Sequence, residues 1–142
     1  MKLFYFAIIF TLFFPSSLLA CSCISPATIE EHIDGSEVIF VGKAFRTRPT
    51  LIGLHHSNPN RLTKFRVLEK MKGVESDVIV IFHNKFTGMD CGLNFEKNEN
   101  YIVFASAYEA DRLVTSICDL TRNTRALDSE ELDAYRAALG KS

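Results

Sequence analysis

The chain has 142 residues, of which 47% are hydrophobic, and its 16 basic and 17 acidic side chains give a net charge of −1. Charges this nearly balanced argue against nucleic acid or an anionic surface as the main partner. The length is that of one domain, about 100–150 residues, so we expect a single domain.

The first 20 residues have the three regions of a signal peptide. Lys2 is positively charged, residues 3–14 form a largely apolar run, and residues 15–20 end on the small Ala20. The run is too short for a membrane-spanning helix, which needs about 20 residues. We therefore predict a signal peptide over residues 1–20, a mature domain over residues 21–142 and no membrane span.

Two cleavage chemistries compete at this junction. Ala20 suits a signal peptidase that requires a small residue before the cut, which predicts a secreted or periplasmic protein. Residues 18–21 also read as a bacterial lipoprotein box, and in that alternative Cys21 carries lipid and anchors the protein to the outer membrane. The even number of cysteines favours the first interpretation, because lipid on Cys21 would leave one cysteine without a partner.

A short helix is predicted at the start of the mature chain. Ser25 is placed as its N-cap, and Pro26 then occupies the first helical position. Ile29 and Ile33 share one face, and Gly35 ends the helix.

Five segments predict strands, because they are apolar or alternate apolar with polar side chains. Lys64 and Arg66 alternate with apolar neighbours, which predicts one buried and one solvated face. Residues 78–82 are apolar throughout and predict a central strand that is buried on both faces. No long helix separates the segments, so they indicate a small antiparallel sheet or barrel. They are residues 38–45, 63–67, 78–82, 101–105 and 113–117.

The C-terminal segment predicts an amphipathic helix. Asp128 as N-cap and Glu131 three residues later form a capping box, with Leu127 and Leu132 placed as a hydrophobic staple. Gly140 ends the helix. Its apolar stripe must pack on the barrel and consists of Leu132, Tyr135 and Leu139.

Histidines and basic residues offer two further candidate sites. His55 and His56 are adjacent in the loop of residues 50–60, and adjacent residues seldom point at one ion, so we expect a solvated loop. Seven basic residues in and around two neighbouring predicted strands could form a basic stripe across them. We interpret them as a solvated strand face, with contact to a polysaccharide or sulfated glycan as the lesser alternative. They are Arg46, Arg48, Arg61, Lys64, Arg66, Lys70 and Lys72.

No motif of a catalytic nucleophile, a zinc protease or a phosphate-binding loop is present. We therefore expect neither an enzyme nor a cofactor, and we expect a monomer.

The four cysteines, Cys21, Cys23, Cys91 and Cys118, all follow the predicted signal peptide. In a small exported domain this number predicts two disulfides. Zinc is a weaker alternative, because structural zinc sites pair their ligands at C-x₂₋₄-C spacings. A bridge between Cys21 and Cys23 would close a small strained ring, so each is expected to reach one of the two distant cysteines.

Taken in order, several segments resemble the netrin-like domains, specifically the N-terminal domain of the tissue inhibitors of metalloproteinases. The resemblance spans essentially the whole mature chain, with cysteine separations of 70 and 95 residues. The segments are Cys21-Ser22-Cys23, Phe65-Arg66-Val67 leading to Met71-Lys72-Gly73, Cys91-Gly92, residues 101–105, Cys118-Asp119-Leu120 and the terminal helix.

The resemblance implies a five-stranded Greek-key barrel of the OB type with flanking helices, and the disulfides Cys21–Cys91 and Cys23–Cys118. It also implies a partner, a zinc metalloproteinase. In these inhibitors the amine and carbonyl of the N-terminal cysteine chelate the protease zinc, and the next side chain enters the specificity pocket. Carried over, Cys21 is the chelator and Ser22 the pocket residue, while Cys23, Ile24, Met89 and Asp90 complete the inhibitory edge.

The chain also departs from the family. It lacks the third disulfide of that domain and the cysteine-rich C-terminal domain, and it has one extra residue between Cys23 and Pro26. These differences motivate an alternative, a non-inhibitory netrin-like binding module of the cell envelope or matrix.

Overall fold

The structure is a computed structural model that describes residues 23, 28–50, 59–87, 91–109 and 111–140. The predicted signal peptide and its cleavage junction lie outside these residues. No helix in the described part of the chain has the length and apolar character needed to cross a membrane.

Strands dominate the described chain, and two helices flank them. The helices are α1 (Ile29–Gly35) and α2 (Ser129–Leu139), and a 3₁₀ turn covers Thr124–Ala126. The strands are β1 (Val38–Pro49), β2 (Arg61–Lys72), β3 (Val78–His83), β4 (Asn100–Tyr108), β5 (Arg112–Val114) and β6 (Arg122–Asn123).

Five of the strands close into a barrel. Their order is β1-β2-β3-β5-β4, and β1 closes the sheet by pairing with β4 as well as with β2. All of these pairings are antiparallel except that of β3 with β5. The short β6 extends the sheet from β4. This architecture confirms the predicted mainly β fold, a five-stranded barrel with a short N-terminal helix and a C-terminal amphipathic helix.

The barrel interior is filled around Phe65. Its ring makes edge-to-face contacts with Phe40, Phe95 and Tyr101 at centroid distances of 5.7, 5.0 and 6.2 Å. Contacts of this geometry add about 0.5–1.5 kcal/mol per pair to the burial of the rings. The alternation of β2 is as predicted, since Thr63 and Phe65 are buried while Arg66 is exposed.

A second apolar cluster joins the barrel to the helices. Tyr135 of α2 packs against Phe104 of β4 with ring centroids 5.6 Å apart. The predicted capping box is present, because Asp128 accepts from the Glu131 N–H at 2.8 Å and Glu131 accepts from the Asp128 N–H at 3.4 Å. The predicted apolar stripe also packs in this cluster, which contains Leu127, Leu132, Tyr135 and Leu139.

An ion pair fixes the orientation of α2. The Arg136 guanidinium donates to both carboxylate oxygens of Glu69, at 3.0 and 2.8 Å. These hydrogen bonds hold the pKa of Glu69 below its usual range. The pair is half exposed, so it positions the helix more than it stabilises the fold.

Two predictions, one for α1 and one for β3, need correction. The N-cap of α1 is Thr28 rather than Ser25, because Thr28 forms a capping box with Glu31. Strand β3 is buried on one face only. Ile79, Ile81 and His83 point into the barrel, whereas the apolar side chains that alternate with them lie on the outer face, where Val78 is 45% exposed.

The last predicted barrel strand is shorter than expected. Residues 113–117 were predicted to be a strand, but β5 ends at Val114. The reason is that the Ser116 N–H donates to the Asp119 carboxylate at 2.7 Å and the Ile117 N–H donates to the Cys91 carbonyl at 3.0 Å, so neither extends the strand ladder.

Candidate functional site

The Cys23–Cys118 disulfide ties the start of the described chain to the turn that follows β5. The two Cα atoms are 5.3 Å apart although the residues are separated by 95 positions. This bridge confirms one of the two pairings that the resemblance implies. It also fixes where Cys23 meets the barrel.

Cys91 lies directly beside Cys118. The N–H of Ile117, the residue before Cys118, donates to the Cys91 carbonyl at 3.0 Å. Cys91 is disulfide-bonded as well, but its predicted partner Cys21 lies outside the described residues. We call this region, built from residues 84–86, 91–93 and 115–121 together with Cys23, the disulfide edge.

Hydrogen bonds within a single turn hold Cys118 in place. One carboxylate oxygen of Asp119 accepts from the Ser116 N–H at 2.7 Å and from its hydroxyl at 3.0 Å. The Ser116 hydroxyl accepts from the Cys118 N–H at 3.2 Å, and the Ser116 carbonyl accepts from the Asp119 N–H at 3.2 Å. Four bonds over four residues leave this turn little conformational freedom.

Two buried threonines anchor the same turn to β4. The hydroxyls of Thr115 and Thr121 are 2.7 Å apart, and each lies within hydrogen-bonding distance of the Phe104 carbonyl, at 2.7 and 3.1 Å. The Phe104 N–H donates to Thr121 Oγ1 at 2.9 Å. The turn is thus attached to the barrel on both sides of Cys118.

The part of the disulfide edge around Cys91 depends on close contact between two backbone segments, residues 84–86 and residues 91–93. The Leu93 N–H donates to the Asn84 carbonyl at 2.9 Å. A Cβ atom at Gly92 would lie 2.5 Å from the Lys85 carbonyl carbon and 2.6 Å from the Asn84 oxygen. Only glycine fits at this position without moving one backbone away from the other, and the neighbouring Cys91 is positioned by the same contact.

A buried histidine lies beneath this segment. His83 is 2% exposed, and its Nδ1 lies 3.1 Å from the carbonyl oxygens of both Asn84 and Leu93. Carbonyls cannot donate, so Nδ1 carries the proton. In the neutral ring Nε2 then accepts from the Thr63 hydroxyl at 2.8 Å, which in turn accepts from Thr47 at 2.8 Å.

This environment lowers the pKa of His83. Burial of the ring is the main cause, and the positive charge of Arg61 acts in the same direction, whereas the two carbonyls oppose it. Both ring nitrogens are engaged, so His83 braces the disulfide edge and is not positioned to exchange protons with a ligand.

Two large apolar side chains are exposed at the disulfide edge. Ile117 is 46% exposed and lies between the Cys91 contact and Cys118, and Phe86 is 44% exposed and follows Lys85, against which Gly92 packs. Exposed apolar groups beside a rigid turn are suited to contact with another protein.

The predicted inhibitory edge is only partly described. The structure places Cys23 on the disulfide edge, whereas Cys21, Ser22, Ile24, Met89 and Asp90 lie outside the described residues. Within the described ranges, no three His, Cys, Asp or Glu side chains are grouped closely enough to hold a metal ion. The loop histidines His55 and His56 are outside those ranges.

Comparison with known proteins found no match, either to a family model or to a curated protein. The relation to the netrin-like domains therefore stays a resemblance.

Sequence reasoning missed four residues that shape this edge, namely His83, Thr115, Ile117 and Thr121. Thr115 fell within the predicted strand of residues 113–117 and His83 directly followed that of residues 78–82, but neither strand pattern gave a sign of their hydrogen-bond partners. The short Ser116-to-Asp119 spacing was a readable signal, because Ser and Asp at such separations often close a turn.

Proposed function

We propose that this protein is a secreted inhibitor of zinc metalloproteinases, which binds the protease zinc through the α-amine and carbonyl of Cys21. The observation that carries the proposal is the position of Cys91 beside Cys118. Cys21 and Cys23 are two residues apart, a span of at most about 7 Å. Two neighbouring half-cystines can anchor both ends of such a short segment.

The count of cysteines supports this anchoring. Cys23 and Cys118 bind each other, and Cys91 is also disulfide-bonded. Cys21 is the one other cysteine in the sequence that could serve as its partner within a single chain. A Cys21 thiol used in this way is not available for a lipid, which favours the secreted or periplasmic form over the lipoprotein.

The chemistry of the proposal is simple. A catalytic zinc site keeps one coordination position open for water. An unprotonated amine with an adjacent carbonyl oxygen can take that position. Because two bridges would hold the amine in place, little conformational freedom would be lost on binding.

The surrounding residues fit a protein partner. In this proposal Ser22 enters the specificity pocket, and Ile24, Met89 and Asp90 border the zinc-binding group. Ile117 and Phe86, both exposed, extend the contact surface on the barrel side. The metal in this mechanism is that of the protease, and the inhibitor requires no cofactor of its own.

The test compares the mature protein, starting at Cys21, with a form that carries one additional alanine before Cys21. Each is incubated with a panel of zinc metalloproteinases, and the rate of peptide hydrolysis is measured. The mature protein should inhibit at least one enzyme, and the added residue should weaken inhibition by at least about tenfold because the amine becomes an amide.

Intact mass and thermal unfolding provide the controls. The extended form should contain the same two disulfides and unfold at the same temperature, so that lost inhibition reports on the amine alone. Equal inhibition by both forms would exclude zinc chelation. No inhibition of any enzyme by the mature form would favour the alternative, a netrin-like binding module.

The lipoprotein alternative has its own readout. The intact mass of the exported protein should correspond to a chain that starts at Cys21 without lipid, and reduction should add four hydrogens. A mass increased by acyl chains would exclude both the free amine and the proposed mechanism.

A further inference from the structure

We propose that the outer face of β1 and β2 binds a linear anionic polysaccharide, one that carries sulfate or carboxylate groups. The face consists of five basic side chains, which we call the basic face: Lys43, Arg46, Arg48, Lys64 and Arg66. This surface is distinct from the disulfide edge, and the inference does not depend on protease inhibition.

Strand register brings four of these cations into one compact group. Lys43 pairs with Arg66, and Arg46 pairs with Lys64. Directly paired residues point to the same face of a sheet. Neighbouring strands are about 4.8 Å apart and alternate residues about 6.8 Å apart, so the four Cα atoms form a patch of about 5 by 7 Å.

An irregularity in β1 is required for this grouping. Residues three apart in a regular strand point to opposite faces, which would separate Lys43 from Arg46. The register between β1 and β2 shifts at Phe45, between Ala44 and Arg46. Because of this shift both cations face outward, and Arg48 continues the same row.

The basic face has no acidic partners among the described residues. The ion pairs within those ranges use other cations, Lys70, Arg122, Arg125 and Arg136. Asp90 is the only acidic side chain in the rest of the sequence. Like charges held this close repel one another, so binding of an anion that neutralises them is electrostatically favourable.

The basic face is locally cationic although the whole chain is nearly neutral, at −1. Seven of the 17 acidic residues lie on α2 or line an open pocket of about 900 Å³ near the turn after β4. A local excess of positive charge attracts an anion to one face without making the whole protein basic. The acidic groups are Glu37, Glu75, Glu109, Asp111, Glu130, Glu131 and Asp133.

The character of the neighbouring strand favours a polysaccharide over a nucleic acid. Single-stranded nucleic acids are bound by exposed aromatic rings on which bases stack. On this face the aromatic side chain of β3 is Phe82, which is half-buried and has the Arg112 guanidinium 5.8 Å from its ring centroid. Val78, opposite Arg66 and 45% exposed, offers instead an apolar contact for the C–H face of a sugar ring.

The test measures binding of the mature protein to fluorescently labelled heparin and alginate oligosaccharides over a range of salt concentrations. Neutral dextran, single-stranded DNA of matched length and vesicles containing anionic phospholipid are the comparison probes. We expect binding to heparin or alginate that weakens as salt rises, no binding to dextran, and weaker binding to DNA and vesicles.

A matched pair of triple variants localises the binding. Arg46→Gln, Lys64→Gln and Arg66→Gln together should lower affinity by at least about tenfold. The control, Lys85→Gln, Arg122→Gln and Arg125→Gln, changes the net charge equally but on other exposed positions, and should change affinity less than about twofold.

Three results would overturn the inference: no binding to either anionic polysaccharide, tighter binding to DNA or vesicles, or equal losses in the two triple variants. Both variants should keep the thermal stability of the wild type, since exposed substitutions usually change stability by less than about 0.5 kcal/mol. Protease inhibition, measured with a short peptide substrate, should be unchanged in the variant of the basic face, which separates this surface from the proposed inhibitory one.

Discussion

Protonation of His83 requires the hydrogen bonds on one side of its ring to reverse. Nε2 now accepts from Thr63, and in the cationic ring it must donate to that hydroxyl instead. Thr63 can accept if it turns its own proton toward Thr47, 2.8 Å away. The cost of protonation is therefore the burial of a charge rather than the loss of a hydrogen bond.

This residue predicts how stability depends on pH. The folded pKa of His83 lies below the ordinary value of 6.5, so near that pH the unfolded chain binds more protons than the folded one. Its contribution to stability is complete above pH 6.5 and is lost as the pH falls toward the folded pKa, by at most about 1.4 kcal/mol per pH unit.

His83→Asn provides the measurement. Asparagine retains an N–H for the carbonyls of Asn84 and Leu93 but does not titrate. We expect the variant to be less stable than the wild type by about 1–3 kcal/mol at neutral pH, and the difference should shrink as the solution is acidified. Urea unfolding of both proteins between about pH 5 and 7.5 tests this. Parallel stability curves would contradict the assignment.

At the scale of elements, the disulfide edge is held by two segments packed backbone to backbone, residues 84–86 and 91–93. Gly92→Ala would place a methyl group 2.5 Å from the Lys85 carbonyl carbon, and neither backbone can yield as a flexible side chain could. We expect a loss of about 1–3 kcal/mol in unfolding free energy and a lower yield of the native bridge at Cys91, measured by denaturant unfolding and by peptide mapping.

Gly35→Ala is the matched control for this substitution. A Cβ atom at Gly35, the last residue of α1, has nothing within 4 Å, so the same chemical change should be neutral or stabilising by up to about 1 kcal/mol. Equal destabilisation by both substitutions would show that Gly92 matters through chain flexibility and not through close approach.

Elements with a local signal were predicted well from the sequence. The capping box of α2 lies within four residues, and the alternation around Phe65 repeats every second residue, so both could be identified without knowing the fold. Strand β5 was overestimated, because its end depends on the Ile117 N–H bonding to Cys91, 26 residues away.

The pairing register of β1 with β2 could not be predicted either, because it also depends on residues that are distant in the sequence. The sequence placed basic residues on two neighbouring strands, but whether they share a face depends on the shift at Phe45, which only the pairing with β2 defines. The position of Cys91 beside Cys118 likewise follows from the closed barrel and not from the spacing of the cysteines.

For the molecule as a whole, the Cys23–Cys118 bridge closes a loop that contains α1 and strands β1 to β5. A loop of this length restricts the unfolded chain enough to stabilise the fold by up to about 4–5 kcal/mol. Replacing both cysteines, with Cys23→Ser and Cys118→Ser, should lower the unfolding free energy by about 2–5 kcal/mol.

Guanidinium unfolding with and without reductant measures this effect. Reductant should destabilise the wild type more than it destabilises the double variant, which retains only the bridge at Cys91. An unchanged unfolding midpoint in the double variant would mean that the barrel alone determines the stability.

Because Cys23 and Cys118 are 95 residues apart in the chain, the ribosome makes them at different times. At synthesis rates of about 5–20 residues per second, Cys118 is made about 5–20 s after Cys23. Cys91 is made earlier, so the first partner that Cys23 can meet is the wrong one. Correct pairing must wait until the turn after β5 has folded against β4, and an oxidase acting before then would produce bridges that an isomerase has to rearrange.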